Sequence, residues 1–108
     1  MEIIKGLPAA KGKAKGKIRL VLKTADFKKL LTGEILVTDL KPENITVVKR
    51  AKAIITDAGG ITSHIAKAAR ELKTPCIVNA KDATKIFKNG DWVEVNANKG
   101  EVKIKIKK

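Results

Sequence analysis

The sequence predicts a mixed α/β domain, on three observations. Short apolar runs bounded by turn residues read as strands at 34–38, 53–56 and 76–79. A stretch with helical apolar spacing, 63–72, lies between two of these runs. The chain closes on two alternating segments, 92–96 and 101–107, which flank Asn98-Lys99-Gly100 in the pattern of a hairpin. Alternating strand and helix units with a terminal hairpin give the α/β class. The chain has 108 residues, room for one two-layer core, and no composition break or repeat divides it, so residues 1–108 are read as one domain.

The elements follow in order. Residues 2–5 and 17–22 are expected strands, the second alternating around Ile18, Leu20 and Leu22. Gly6 to Gly16 is a small-residue and glycine segment between them. Thr24 is placed to cap a short helix over 26–31, ended near Gly33. After the strand at 34–38, Pro42 stands where the first turn of a helix tolerates proline, with Ile45, Val47 and Val48 behind it. In the main helix Ile65, Ala68, Ala69 and Leu72 form one apolar stripe at i, i+3, i+4, i+7. Residues 82–87 form a helical turn before the hairpin.

Composition limits the function classes. The net charge is +13, carried mostly by lysine, with arginine only at positions 19, 50 and 70. Such a balance suits acidic partners or nucleic acid. However, Phe27, Phe87 and Trp92 are the only aromatic residues, too few to stack a run of bases, so nucleic acid is disfavoured. The densest basic run spans Lys11 to Lys17 and reads either as a phosphate-contacting loop or as a solvated loop or hairpin end. Cys76 is the only cysteine and lies in an apolar strand, so it reads as a buried inert thiol. One histidine and one cysteine argue against a zinc site. No signal-like or membrane-spanning apolar segment occurs, which points to a cytoplasmic chain away from membranes.

His64, the only histidine, gives the sharpest signal. It is rotated off the apolar stripe and shares its face with Lys67 and Glu71, so its ring is expected to look outward. Gly59 and Gly60 precede it and tolerate positive φ and close approach of a ligand to the backbone. Thr62 or Ser63 supplies an N-cap. The first helical N–H groups lack internal acceptors and the helix dipole adds positive charge there, a combination that favours a phosphoryl group. These residues therefore read as phosphate chemistry on histidine, with Gly59, Gly60, Thr62 and Ser63 as phosphate-binding positions. A serine hydrolase is disfavoured, because Ser63 and His64 are adjacent on a helix and no Gly-x-Ser-x-Gly elbow occurs.

The segment from Gly59-Gly60 through Thr62-Ser63-His64 to Ala69-Arg70-Glu71-Leu72, followed by Pro75, resembles the phosphohistidine motif of the phosphoenolpyruvate-utilising enzymes. That family includes phosphoenolpyruvate synthase, pyruvate phosphate dikinase and enzyme I of the sugar phosphotransferase system. The resemblance extends to Gly33–Thr38 with Pro42, to Gly90–Val95 and Gly100–Val102, and to the opening segment from Gly6 to Gly16. It implies the swivelling β/β/α phosphohistidine domain, with His64 as the phosphorylated residue. It also implies partners, namely nucleotide-binding and phosphoenolpyruvate- or pyruvate-binding domains between which the group travels. Thr62 falls where the dikinase carries a regulatory phosphothreonine. Lys73 stands where the family usually has glycine after Glu-Leu.

The short chain leaves no room for an ATP-binding domain or a barrel, and it has no Walker-type Gly-x-x-x-x-Gly-Lys-Ser/Thr pattern. The expectation is a phosphohistidine carrier that works with separate partners, a phosphotransferase component rather than a complete enzyme. It would bind no cofactor itself and would take its phosphoryl group from phosphoenolpyruvate or ATP through those partners. Two alternatives stay open: a non-catalytic regulatory or binding module that keeps the fold, and a basic nucleic-acid-binding protein. Arg70 is six residues past His64 and does not stack over its ring, so it reads as packing the C-terminal half of the helix or as a salt bridge to an acidic partner rather than as a catalytic group.

Overall fold

A computed structural model describes residues 3–40 and 49–105. The elements are β1 (Ile3–Lys5), β2 (Leu7–Ala10), β3 (Lys13–Val21), a 3-10 helix (Thr24–Lys29), β4 (Ile35–Thr38) and β5 (Ala53–Thr56). They continue with α1 (His64–Leu72), β6 (Cys76–Val78), α2 (Ala83–Ile86), β7 (Trp92–Asn96) and β8 (Glu101–Lys105). The strands are ordered β1-β8-β7-β3-β4-β5-β6-β2.

The long strand β3 joins two sheets. Its first half, Lys13 to Lys17, pairs antiparallel with β7. Its second half, Ile18 to Val21, pairs parallel with β4, and β4, β5 and β6 continue in parallel. β2 closes that edge antiparallel to β6. The parallel strands are buried on both faces, which is why their sequences are unbroken apolar runs rather than alternations. Leu36, Ile54, Cys76 and Val78 face one core with Ile65, Ala66 and Ala69 of α1. Ile35, Val37, Ala53, Ile55 and Ile77 face the other core with Phe87 beside α2 and with Val93, Val95 and Val102 of the second sheet. The result is three layers, helix on sheet on sheet, which is the β/β/α arrangement expected from the resemblance.

Several local expectations are corrected. The basic run from Lys11 to Lys17 is not a loop: from Lys13 onward it is strand, with Lys13, Lys15 and Lys17 exposed and Ala14 and Gly16 buried. Leu7–Ala10 is also a strand. Its Pro8 is tolerated because β2 is an edge strand with a register irregularity between Pro8 and Ala10. The helix expected at 26–31 is a 3-10 turn that starts at Thr24, and its N-cap position is Lys23 with no side-chain cap. The helix start placed at Pro42 lies outside the described residues.

Helix α1 ends on a non-glycine left-handed residue. Lys73 has φ 56° and ψ 38°. Its N–H donates to the Arg70 carbonyl at 3.2 Å, and the Thr74 N–H donates to the Ala69 carbonyl at 2.9 Å, the paired bonds of a Schellman turn. The turn that glycine would suit thus forms around lysine, at a local cost of about 1 kcal/mol. Lys73→Gly is expected to stabilise the fold by up to about 1 kcal/mol, read as a raised denaturation midpoint with unchanged m-value.

Candidate functional site

His64 is the first residue of α1 and is exposed. Lys67, Arg70 and Glu71 are exposed with it, while Ile65, Ala66, Ala68 and Ala69 are buried. The ring therefore lies on the solvent side of the helix, as the apolar phase predicts. Ser63, rather than Thr62, is the N-cap: its hydroxyl oxygen accepts from the Ala66 N–H at 3.4 Å. Thr62 is exposed in the turn before it. Among the described residues, no acceptor stands on the N–H of His64 or Ile65, so both remain available at the positive end of the helix.

The glycine pair divides its work. Gly59 has φ +101° and is the position that requires glycine for its backbone. Gly60 does not have positive φ. Its carbonyl accepts from the Ser63 N–H at 3.0 Å, and a Cβ there would meet nothing in the protein within 4 Å. The expectation that both glycines serve the turn is narrowed: Gly59 makes the turn, and the space over Gly60 is open.

The loop leaves the carboxyl end of β5, at the end of the parallel sheet where α/β folds present their ligand-facing loops. Two contacts hold it there. The buried Thr56 hydroxyl donates to the Ala58 carbonyl at 2.7 Å. The Asp57 carboxylate accepts from the Thr84 N–H at 2.9 Å and from its hydroxyl at 2.6 Å, tying the start of the loop to α2. This role of Asp57 is not legible in the sequence. Its partner is 27 residues away, and no local pattern announces the pair.

Arg70 donates from Nη1 to the Ala9 carbonyl of β2 at 2.8 Å, which settles it as a structural clasp between helix and edge strand. Cys76 is fully buried, and burial pushes its thiol up to about 12, against the opposing influence of Arg70, so it is a packing residue. No group of three or more His, Cys, Asp or Glu residues that could hold a metal ion occurs among the described residues. No helix there is long and apolar enough to cross a membrane.

The family described as PEP-utilising enzyme, mobile domain matches residues 30–100, which include the whole loop and helix of His64. The chain belongs to this family. It is 43% identical over 101 residues to the phosphoenolpyruvate synthase of Pyrococcus furiosus; the match covers 93% of this chain and 12% of that protein, so the mobile-domain chain spans only a small part of its relative's length. Among solved structures, an NMR structure of enzyme I is similar with a TM-score of 0.63 and 30% identity, over 73% of this chain and 33% of that one. Aconitase X from Thermococcus kodakaraensis has a TM-score of 0.76 at 23% identity, over 98% of this chain and 100% of that one, a likeness of fold alone.

Proposed function

We propose that this mobile domain is a phosphohistidine carrier, in which His64 accepts a phosphoryl group from one partner and passes it to another. The observation that carries the reading is the placement of the only histidine, exposed at a helix N-terminus beside a loop with open space over Gly60. In the forward step the lone pair of the neutral imidazole attacks phosphorus. The N–P bond forms as the bond from phosphorus to the donor's leaving oxygen breaks, in line with the attack. The return step reverses this onto the acceptor's oxygen.

The chain's own contribution is positioning and charge. The N–H groups of His64 and Ile65 and the hydroxyls of Thr62 and Ser63 would meet the phosphoryl oxygens, with the helix dipole adding positive charge. An exposed ring suits a carrier, because it must be reached from two sides in turn. The donor would be phosphoenolpyruvate or ATP held by partner domains, nucleotide-binding and phosphoenolpyruvate- or pyruvate-binding, and the domain itself would hold no cofactor. A cytoplasmic setting, where those donors are found, is part of the same proposal.

The test is donor-dependent labelling. Alone with labelled ATP or phosphoenolpyruvate the chain is expected to show negligible turnover. With the Pyrococcus furiosus phosphoenolpyruvate synthase supplied as donor enzyme, or with phosphoramidate as a small chemical donor, it is expected to gain one acid-labile, base-stable phosphate. Sustained turnover by the pure chain, or no labelling from either donor, would count against a carrier.

The loop gives a second expected result. A valine side chain at Gly60 meets no protein atom near its Cβ, so the fold should tolerate it. The same side chain occupies the space where phosphoryl oxygens must approach the backbone. Gly60→Val should slow labelling by about 100-fold, the size of losing a positioned oxyanion donor, with little change in melting. Labelling at the wild-type rate would reduce the glycines to a turn and remove the cradle.

A further inference from the structure

The outward face of the second sheet carries an organised array of lysines. The pleat sends Lys13, Lys15 and Lys17 of β3 to this face, across from Asn96, Glu94 and Trp92 of β7, which in turn stand across from Glu101, Lys103 and Lys105 of β8. A groove of about 490 Å³ opens on it, lined by Lys13, Lys15, Lys52, Lys99 and Lys103 with only two carboxylates, Glu94 and Glu101. Lys15 and Lys52 also line a neighbouring groove with Lys17 and Arg19, so the cationic surface is continuous.

Its carboxylates are largely spent inside the array. Glu94 is shared between Lys15 at 3.7 Å and Lys105 at 3.5 Å. In the neighbouring groove Glu34 is held in a two-point pair by Arg19 at 3.0 and 3.1 Å. Among the described residues Lys13, Lys52, Lys99 and Lys103 have no ion pair. Lysines two apart on a strand stand about 7 Å from each other, within one screening length of about 8 Å at physiological salt. They therefore act on a partner as one field, and like charges so close oppose the compact state.

We infer that this lysine face docks an acidic protein surface, independently of the chemistry at His64. The face belongs to the layer opposite α1, so it can be occupied while His64 engages another molecule. A protein partner is favoured over nucleic acid on two grounds. The carboxylates of Glu94 and Glu101 within the array oppose the unbroken negative charge of a phosphate backbone, whereas a mixed-sign protein surface can set a cation against Glu101, which has no ion pair among the described residues. The face is a sheet with one aromatic ring, Trp92, rather than a helix or ribbon shaped for a groove or a row of rings for bases.

The test compares two variants with the same change in net charge. One carries Lys13→Gln, Lys15→Gln, Lys52→Gln and Lys103→Gln; the other carries Lys23→Gln, Lys28→Gln, Lys81→Gln and Lys88→Gln at exposed positions off the face. Binding of poly-L-glutamate and of a duplex DNA is measured by titration calorimetry at physiological salt, with melting curves beside it. Poly-L-glutamate should bind the wild type, lose about tenfold or more in affinity to the face variant, and lose less than about threefold to the control. If the fourfold face variant fails to fold, Lys15→Gln with Lys52→Gln should show the same ordering in smaller steps. Equal losses in the two variants, or no binding by the wild type, would overturn the inference by reducing the face to net charge. Tighter binding of the duplex than of poly-L-glutamate, through the same lysines, would overturn it in favour of nucleic acid.

Discussion

His64→Ala is expected to take up no phosphoryl group from either the enzyme donor or phosphoramidate, while melting as the wild type does. The ring is exposed at the first helical position, so its removal leaves no cavity. The N-cap bond from Ala66 to the Ser63 hydroxyl does not involve it. Loss of labelling therefore reads out chemistry rather than folding. Phosphoramidate matters here because it bypasses any docking between domains. A variant that accepts from phosphoramidate but not from the enzyme would place the defect in docking, whereas a variant still labelled by both would place the acceptor elsewhere.

The largest effect on stability is expected in the core beneath that helix. Ile54 is fully buried in the middle of β5, in the cluster that packs Leu36, Cys76 and Val78 against Ile65, Ala66 and Ala69 of α1. Because the helix contributes small alanines, Ile54 is one of the larger side chains of that layer. Ile54→Ala removes its branched bulk and leaves a void that the parallel sheet cannot close, at a cost of about 2–5 kcal/mol. For a domain of this size that corresponds to a fall in melting temperature of roughly 10 °C or more. Labelling per folded molecule should stay near wild type, since no atom of Ile54 reaches the loop surface. A melting temperature within a degree or two of wild type would mean that the helix is not seated on β5 as described.

How far the fold could be read from sequence depended on side-chain size as much as on pattern. The strands β4, β5 and β6 were legible because burial on both faces leaves unbroken apolar runs. Helix α1 was legible because its stripe has the right period and a serine stands at its cap. The first half of β3 was hidden because its inward positions are Ala14 and Gly16, too small to look like a buried strand face between lysines. β2 was hidden by Pro8, which an edge strand accepts and a central one does not.

The site shows the same division. His64, Ser63 and the turn at Gly59 are local features, written within a few residues of one another. The tie from Asp57 to Thr84, the clasp from Arg70 to Ala9 and the lysine face across β3, β7 and β8 arise only when distant segments meet. The same holds for the Arg19–Glu34 pair: burial pushes the Glu34 carboxyl up, but the hydrogen bonds from the Arg19 guanidinium and the Leu31 N–H, with the nearby positive charge, together hold it below its usual range. Its stabilisation is present above the unfolded carboxyl's titration and is lost as pH falls through the lowered folded value.

The chain has one histidine, so its imidazole nitrogen resonances in heteronuclear NMR belong to His64 without assignment. Following those resonances while the domain is phosphorylated tests the carrier reading most directly. The account predicts that, as one equivalent of phosphate is incorporated, one ring nitrogen shifts and gains a coupling to phosphorus, and that both changes reverse when the group is transferred to an acceptor. Phosphate incorporated at full stoichiometry with the imidazole resonances unmoved would contradict it.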